Sequence, residues 1–333
     1  MESEGLFNTV GPTTAACDFK ETTMKKSLIA LAVLAASGAA MAQSTVQVYG
    51  IVDTSFVKDK NAALSMNSGS LSGSRWGFMG SEDLGGGLKA NFKLEQGFNS
   101  DVGTVNGNTG FNRYAYVGLA GGFGEVKFGV TGTAYDDISG AANPVFDSVL
   151  SPTGVWASTG YTWNPGNTVY YATPSFSGFS GAVSYTLDET VNANNDKTSY
   201  ALKYENGPLF VGFAYQDEGN AANTAYTRLN GTYDFGAFKL LAGYGNRDVA
   251  GVDTKDMSVG VDVPLSSALT LSAGYASSKV TGGTRSSSWA VGATYALSKR
   301  TTVYGGYRND NANAVANNVG VDSRIAVGLR HAF

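Results

Sequence analysis

Residues 131–166, TGTAYDDISGAANPVFDSVLSPTGVWASTGYTWNPG, break a rhythm that the rest of the chain keeps. On either side, short alternating runs are separated by turn residues. Within 131–166 the alternation stops. The stretch carries Pro144, Pro152 and Pro165, together with Asp136, Asp137 and Asp147, and contains no Lys or Arg. A loop this long inside a compact array is uncommon and is usually either functional or unstructured. It reads either as a segment with work to do inside the fold or as a surface loop or lid, and the flanking sequence decides between them.

The flanks have period two, which in a strand puts successive side chains on opposite faces. Val48, Gly50, Val52 and Thr54 share one face of the first run, and Gln47, Tyr49 and Asp53 the other. Val259, Val261 and Val263 oppose Ser258 and Asp262. Leu269, Leu271, Ala273 and Tyr275 oppose Thr270 and Ser272. Trp289, Val291, Ala293, Tyr295 and Leu297 oppose Ser288 and Thr294. One apolar and one polar face per strand fits a soluble sandwich packed inward or a membrane barrel turned outward to lipid. The connections separate the two. Tight turns such as 82–87, 120–124, 206–208 and 297–299 alternate with longer polar segments at 58–73, 99–112, 131–166, 188–197, 217–224, 247–255, 278–286 and 309–322. Strict alternation of short turns and long loops is an outer-membrane barrel pattern. Eight long loops and seven turns imply sixteen strands, an even number that leaves both chain ends on the short-turn, periplasmic side. The expected fold is all-β: a 16-stranded antiparallel transmembrane β-barrel whose third loop, 131–166, folds inward and narrows a water-filled pore.

Composition agrees with this reading. The chain has 333 residues, 44 of them Gly, with 18 Tyr and 17 Phe. Lys25 and Lys26, an apolar run over 28–36 and Ala40-Met41-Ala42 form a secretory signal with cleavage after Ala42. Translation is expected to start at Met24, with 1–23 a misassigned extension, 24–42 the signal peptide and 43–333 the barrel domain. Cys17, the only cysteine, lies outside 43–333, so no disulfide staples that domain. The net charge of −4 argues against a nucleic-acid partner.

Several segments carry a family resemblance. They are Val48-Tyr49-Gly50-Ile51-Val52-Asp53, the run from Ser74 to Ala90, Leu94-Glu95-Gln96-Gly97-Phe98, Arg113-Tyr114-Ala115-Tyr116-Val117-Gly118-Leu119, the run from Tyr171 to Phe179, and Val327-Gly328-Leu329-Arg330-His331-Ala332-Phe333. Together they resemble the general porins of Gram-negative bacteria, most closely the trimeric β-proteobacterial type. The resemblance covers essentially all of 43–333. It implies a sixteen-stranded barrel, a homotrimer in which the second loop (99–112) latches onto a neighbour, and a third loop in the lumen. It also implies an outer-membrane general-diffusion channel for ions and small hydrophilic solutes, set in lipid and lipopolysaccharide.

Parity places Arg75 and Arg113 on the lumen face, opposite Trp76 and Tyr114/Tyr116. An Arg facing lipid at mid-bilayer would cost about 2–4 kcal/mol. In similar porins these positions form a basic wall facing an acidic loop. The expected constriction is therefore Arg75, Arg113, Lys93 and Glu95 against Asp136, Asp137 and Asp147. Lys89 and Lys127 also point inward and read as ordinary lumen charges. The chain departs from the family where the fifth strand enters the loop: Val130 stands where an Arg is common. No Lys or Arg occurs between Lys127 and Lys197. The basic wall is thinner than the family pattern, and weak charge selectivity is expected.

Phe333, His331 and Leu329 alternate at the C-terminus and resemble the signal read by the outer-membrane assembly machinery. Enzyme chemistry has little to stand on. His331 is the only imidazole, so Ser/His/Asp or Cys/His catalysis is not expected, and neither are a His/Cys metal site or any cofactor. The competing functional reading is a barrel used mainly for surface adhesion or antigen display, with a plugged pore.

Overall fold

The computed structural model describes residues 45–107, 110–190 and 195–333. Residues 1–44, which include the expected extension and signal peptide, lie outside the described residues, as do 108–109 and 191–194. The strands run in chain order. β1 (Thr45–Asp59), β2 (Leu64–Ser68), β3 (Arg75–Gly85), β4 (Leu88–Asn99), β5 (Thr104–Val105), β6 (Tyr114–Gly121) and β7 (Gly124–Val130) precede the long loop. β8 (Thr168–Ala172), β9 (Phe179–Thr186), β10 (Lys197–Asn206), β11 (Leu209–Asp217), β12 (Thr224–Asp234) and β13 (Lys239–Val249) follow it. β14 (Val252–Pro264), β15 (Leu269–Val280), β16 (Arg285–Ala296), β17 (Thr301–Asp310) and β18 (Ser323–Ala332) complete the sheet. β2 and β5 are short additions within the first two loops. Among the described residues the other sixteen form the wall, each pairing antiparallel with the next.

The wall closes because β1 pairs with β3 on one side and with β18 on the other, from Ile51↔Ala332 to Asp59↔Arg324. Closure satisfies backbone groups that would otherwise face lipid. Val46, Val48, Val52 and Phe56 are exposed on the outside of β1, whereas Asp53, Ser55 and Val57 are buried inside. Val259, Leu271, Trp289, Val291 and Tyr295 likewise face outward. The period-two reading therefore gave the correct faces on these strands.

Two loops are much shorter than expected. The polar residues 247–255 remain in the ladder: β13 runs to Val249, and β14 starts at Val252. Ala250 (φ 53) and Gly251 (φ 85) make the turn. Between β15 and β16 only 281–284 are unpaired. Both strands extend past the lipid on Ser, Thr, Asp and Lys, where no apolar alternation marks them.

The C-terminus seals the seam. Phe333 and Gly50 exchange backbone hydrogen bonds of 3.0 and 3.1 Å. The Phe333 ring covers Gly50 so closely that a Cβ there would lie 2.3 Å from ring carbon Cζ. Deleting Phe333 should therefore reduce the heat-modifiable, folded fraction in the outer membrane, and Gly50→Val should do the same by forcing the ring away. Wild-type levels of folded protein in both variants would contradict this account of closure.

Candidate functional site

With apolar side chains turned outward, the barrel has no ordinary core. The described residues instead form three buried clusters, each joining the long loop to the inner wall. Ala134, Tyr135 and Ile138 pack on Tyr170, Ala201, Ala214 and Tyr226. Val145 and Leu150 pack on Val57, Ala290 and Ala326. Val155 and Trp156 pack on Ala276 and on Ala314, which lies on a short helix, Ala312–Ala316, in the last loop. The wall under the loop is kept small. A Cβ at Gly260 or Gly274 would fall within 2.6 Å of Pro144, and one at Gly243 within 2.8 Å of Trp156.

Hydrogen bonds fix the loop along this floor. The backbone N–H of Ala134 donates to Ser184 Oγ (3.2 Å), that of Tyr135 to Ser199 Oγ (2.7 Å) and that of Val145 to Ser272 Oγ (2.9 Å). The N–H of Ser158 donates to Asp256 Oδ2 at 2.7 Å. At its tip, Val149 N–H donates to the Ser70 carbonyl of the first loop at 2.7 Å. Val145, Phe146 and Asp147 have φ of 55°, 62° and 51°. Three successive non-glycine residues in the left-handed region, one of them β-branched, hold a strained turn that only over-determining surroundings maintain. Residues 134–158 therefore pack on and bond to wall residues of the polar parity.

The basic residues gather on β3, β4 and the approach to β6. Glu95, only 2% exposed, sits at their centre. Arg113 Nε lies 2.7 Å from its Oε1, while Lys93 Nζ and Arg75 Nε lie 3.4 and 3.8 Å from its Oε2. Tyr49 OH donates to Oε2 at 2.8 Å. Three cations thus share Glu95, leaving two positive charges in surplus. Lys127 forms a pair of its own with Glu125 at 3.0 Å, and Lys89 is exposed at the turn end of β4.

One parity assignment was wrong. Tyr114 and Tyr116 face the lumen, where they are the register partners of Glu95 and Lys93. Arg113 also reaches the lumen because it precedes β6 and is free of the strand's alternation. Its stem lies over Gly97, where a Cβ would be 3.2 Å from Arg113 Cδ.

The three loop aspartates lie near enough that Asp137 and Asp147 both push the Asp136 carboxyl up, but they differ in their hydrogen-bond partners and cations. Asp136 and Asp137 open a one-turn helix, Asp136–Ser139. Asp136 accepts from Tyr161 OH, and the positive charge of Arg113 acts on it. Burial pushes its carboxyl up to about 6, opposed by the Tyr161 bond and by Arg113. Asp137 accepts from Tyr170 OH at 2.6 Å and has Lys203 and Lys127 as its cations. Asp147 accepts from Asn143 at 2.6 Å and feels Arg228 instead. Of the three, Asp136 is the one on which Arg113 acts most plainly.

Sequence reading missed two inner-wall arginines. Arg228 is fully buried behind the loop, with Nε 3.3 Å from Tyr135 OH and its guanidinium 4.5 Å from the Trp156 ring. Arg308 binds Asp310 through two contacts of 2.8 and 2.9 Å. For Arg228 the signal was available, since it lies near the middle of β12 on the polar parity, where the lipid-cost argument used for Arg75 applies; Arg308 lies two residues from the end of β17, where that argument is weak.

A closed sixteen-stranded antiparallel wall, apolar outside and charged inside, defines an outer-membrane β-barrel channel. The comparisons narrow the class. A profile of the Gram-negative porins matches residues 28–315, and the chain belongs to that family. It is 34% identical to outer membrane porin protein 32 of Delftia acidovorans and 31% identical to an outer membrane porin protein of Bordetella pertussis. Each match covers 93% of this chain and the whole of the relative. Among solved structures, an anion-selective porin from Comamonas acidovorans superimposes with a TM-score of 0.73 at 27% identity, over 87% of this chain and all of that one. The protein is thus a general-diffusion porin of the Gram-negative outer membrane, from a family of channels rather than enzymes.

The loop's seat is directly testable. Leu at Gly260 or Gly274 should drive Pro144 off the wall and into the lumen, lowering single-channel conductance, at an overpacking cost of about 1–3 kcal/mol. Conductance equal to wild type in both variants would mean that the loop does not rest there under working conditions.

Proposed function

We propose that the pore is weakly charge-selective and that its constriction lies between the Glu95-centred cations and the loop. The observation behind this reading is the sharing of one carboxylate by Arg75, Lys93 and Arg113, with Asp136 held in Arg113's field. Charged rings at a narrow point set selectivity. Three cations against Glu95 and Asp136 leave a surplus of one positive charge. The Comamonas relative is described as anion-selective; the surplus here is small because 128–196 adds no Lys or Arg. Asp137 and Asp147 contribute less, each having its own cation nearby.

The remaining parts of the reading follow the family. The protein assembles as a homotrimer, with 99–112 reaching a neighbour. Residues 24–42 direct export, and Phe333, His331 and Leu329 present the C-terminal strand to the assembly machinery. The outer face meets lipid and lipopolysaccharide. Unboiled detergent gels should show a heat-dissociable species near three times the monomer mass.

Selectivity tests the constriction. Arg75→Gln with Arg113→Gln should move the reversal potential in a KCl gradient toward cations. Asp136→Asn should move it toward anions, by more than Asp137→Asn or Asp147→Asn. All of these shifts should grow at low salt, because the Debye length lengthens. An unchanged reversal potential in the double arginine variant would place the constriction elsewhere.

The pH profile carries a second check. Asp136 is charged above its raised value of about 6 and neutral below it. Lowering the pH from 7 to 5 should therefore shift the wild-type channel toward anions, and Asp136→Asn should reduce that shift, burial also raising the Asp137 and Asp147 carboxyls. A shift of equal size in the variant would assign the titration to another group.

A further inference from the structure

The lumen face of β4 and β6, with neighbouring β1 and the end of the loop, alternates cations with aromatic rings. Lys93 Nζ lies 3.9 Å from the centre of the Tyr114 ring and 5.6 Å from that of Tyr49. The Arg113 guanidinium lies 5.1 Å from the Trp163 ring, and Trp163 meets Tyr114 edge to face at 5.8 Å. All five side chains are half-buried, so part of each is open to the lumen. Cations within about 6 Å of a ring are attracted to its face. The strip is therefore held in place rather than left to sway in solvent.

Arg113 uses Nε to bind Glu95. Its two Nη groups make no hydrogen bond among the described residues and are not buried. The cluster keeps its surplus positive charge although Glu95 lies within it, and Asp136 is the acid that faces it from the loop. Trp163 and Tyr114 steady the two cations, and the parts of their rings left open to the lumen also offer a solute apolar surface that Ser or Asn would not. A solute that is flat, apolar on its faces and negative at one end matches both features of the strip.

We propose that Tyr49, Lys93, Arg113, Tyr114 and Trp163 form a retention site for aromatic carboxylates, which the pore holds more strongly than saturated carboxylates of like size. The ring rests on Trp163 and Tyr114, and the carboxylate takes the unused Nη donors of Arg113. An aromatic cation would meet the same rings but the wrong charge. The inference rests on the constriction reading above, yet it can fail separately, because a working pore need not distinguish the two kinds of acid.

The test compares benzoate with cyclohexanecarboxylate as blockers of KCl conductance through the whole protein in planar bilayers at low salt. Benzoate should reach half-block at a concentration about two- to tenfold lower, the range of one aromatic contact. Trp163→Leu should bring the ratio toward one, and Trp163→Phe should keep it. Arg113→Gln should weaken both acids together. Equal block of the wild-type channel by the two acids overturns the proposal while leaving the porin itself intact. A wild-type protein with no stepwise KCl conductance would instead remove the pore reading on which the proposal stands.

Discussion

The seating of residues 134–156 on a floor of alanine and glycine is the contact on which the rest of the lumen depends. A barrel in lipid turns its large apolar side chains outward, so the buried clusters have to form where the loop meets the wall. Small residues on the inner parity let a backbone carrying Pro144, Trp156 and Ile138 lie close to the sheet. Serine hydroxyls on the wall then satisfy the loop's N–H groups. The strained left-handed turn at 145–147 persists because packing and hydrogen bonds hold it from both sides.

The electrostatics follow from that seat. The loop runs along β8 to β17 rather than straight across, which spreads its acids over different cations. Asp136 is left facing the arginine group, while Asp137 and Asp147 answer Lys127, Lys203 and Arg228. In the proposed constriction a transverse field set by so few groups is small, and single substitutions can shift its sign.

Much of this was legible in the sequence. Alternation such as that of Leu269 to Tyr275 fixed the wall's faces, and the strict succession of turns and loops fixed the strand count. The break at 131–166 located the loop. Other features were not legible, for physical reasons. Strands continue beyond the membrane on polar residues, so 247–255 looked like a loop. Arg113 enters from outside a strand, and parity counted from it turned Tyr114 and Tyr116 the wrong way. Arg228 carries the inward signal of any mid-strand arginine, yet nothing local to it shows that a distant segment will bury it.

The most direct measurement of the central claim uses the absence of cysteine from 43–333. In a Cys17→Ser background, Asp136→Cys places a single thiol on the seated loop beside the arginine group. A bulky, positively charged methanethiosulfonate reagent added to single channels should lower conductance in discrete steps and shift selectivity further toward anions. A fully modified channel with unchanged conductance would contradict the account and put residues 131–166 outside the ion path.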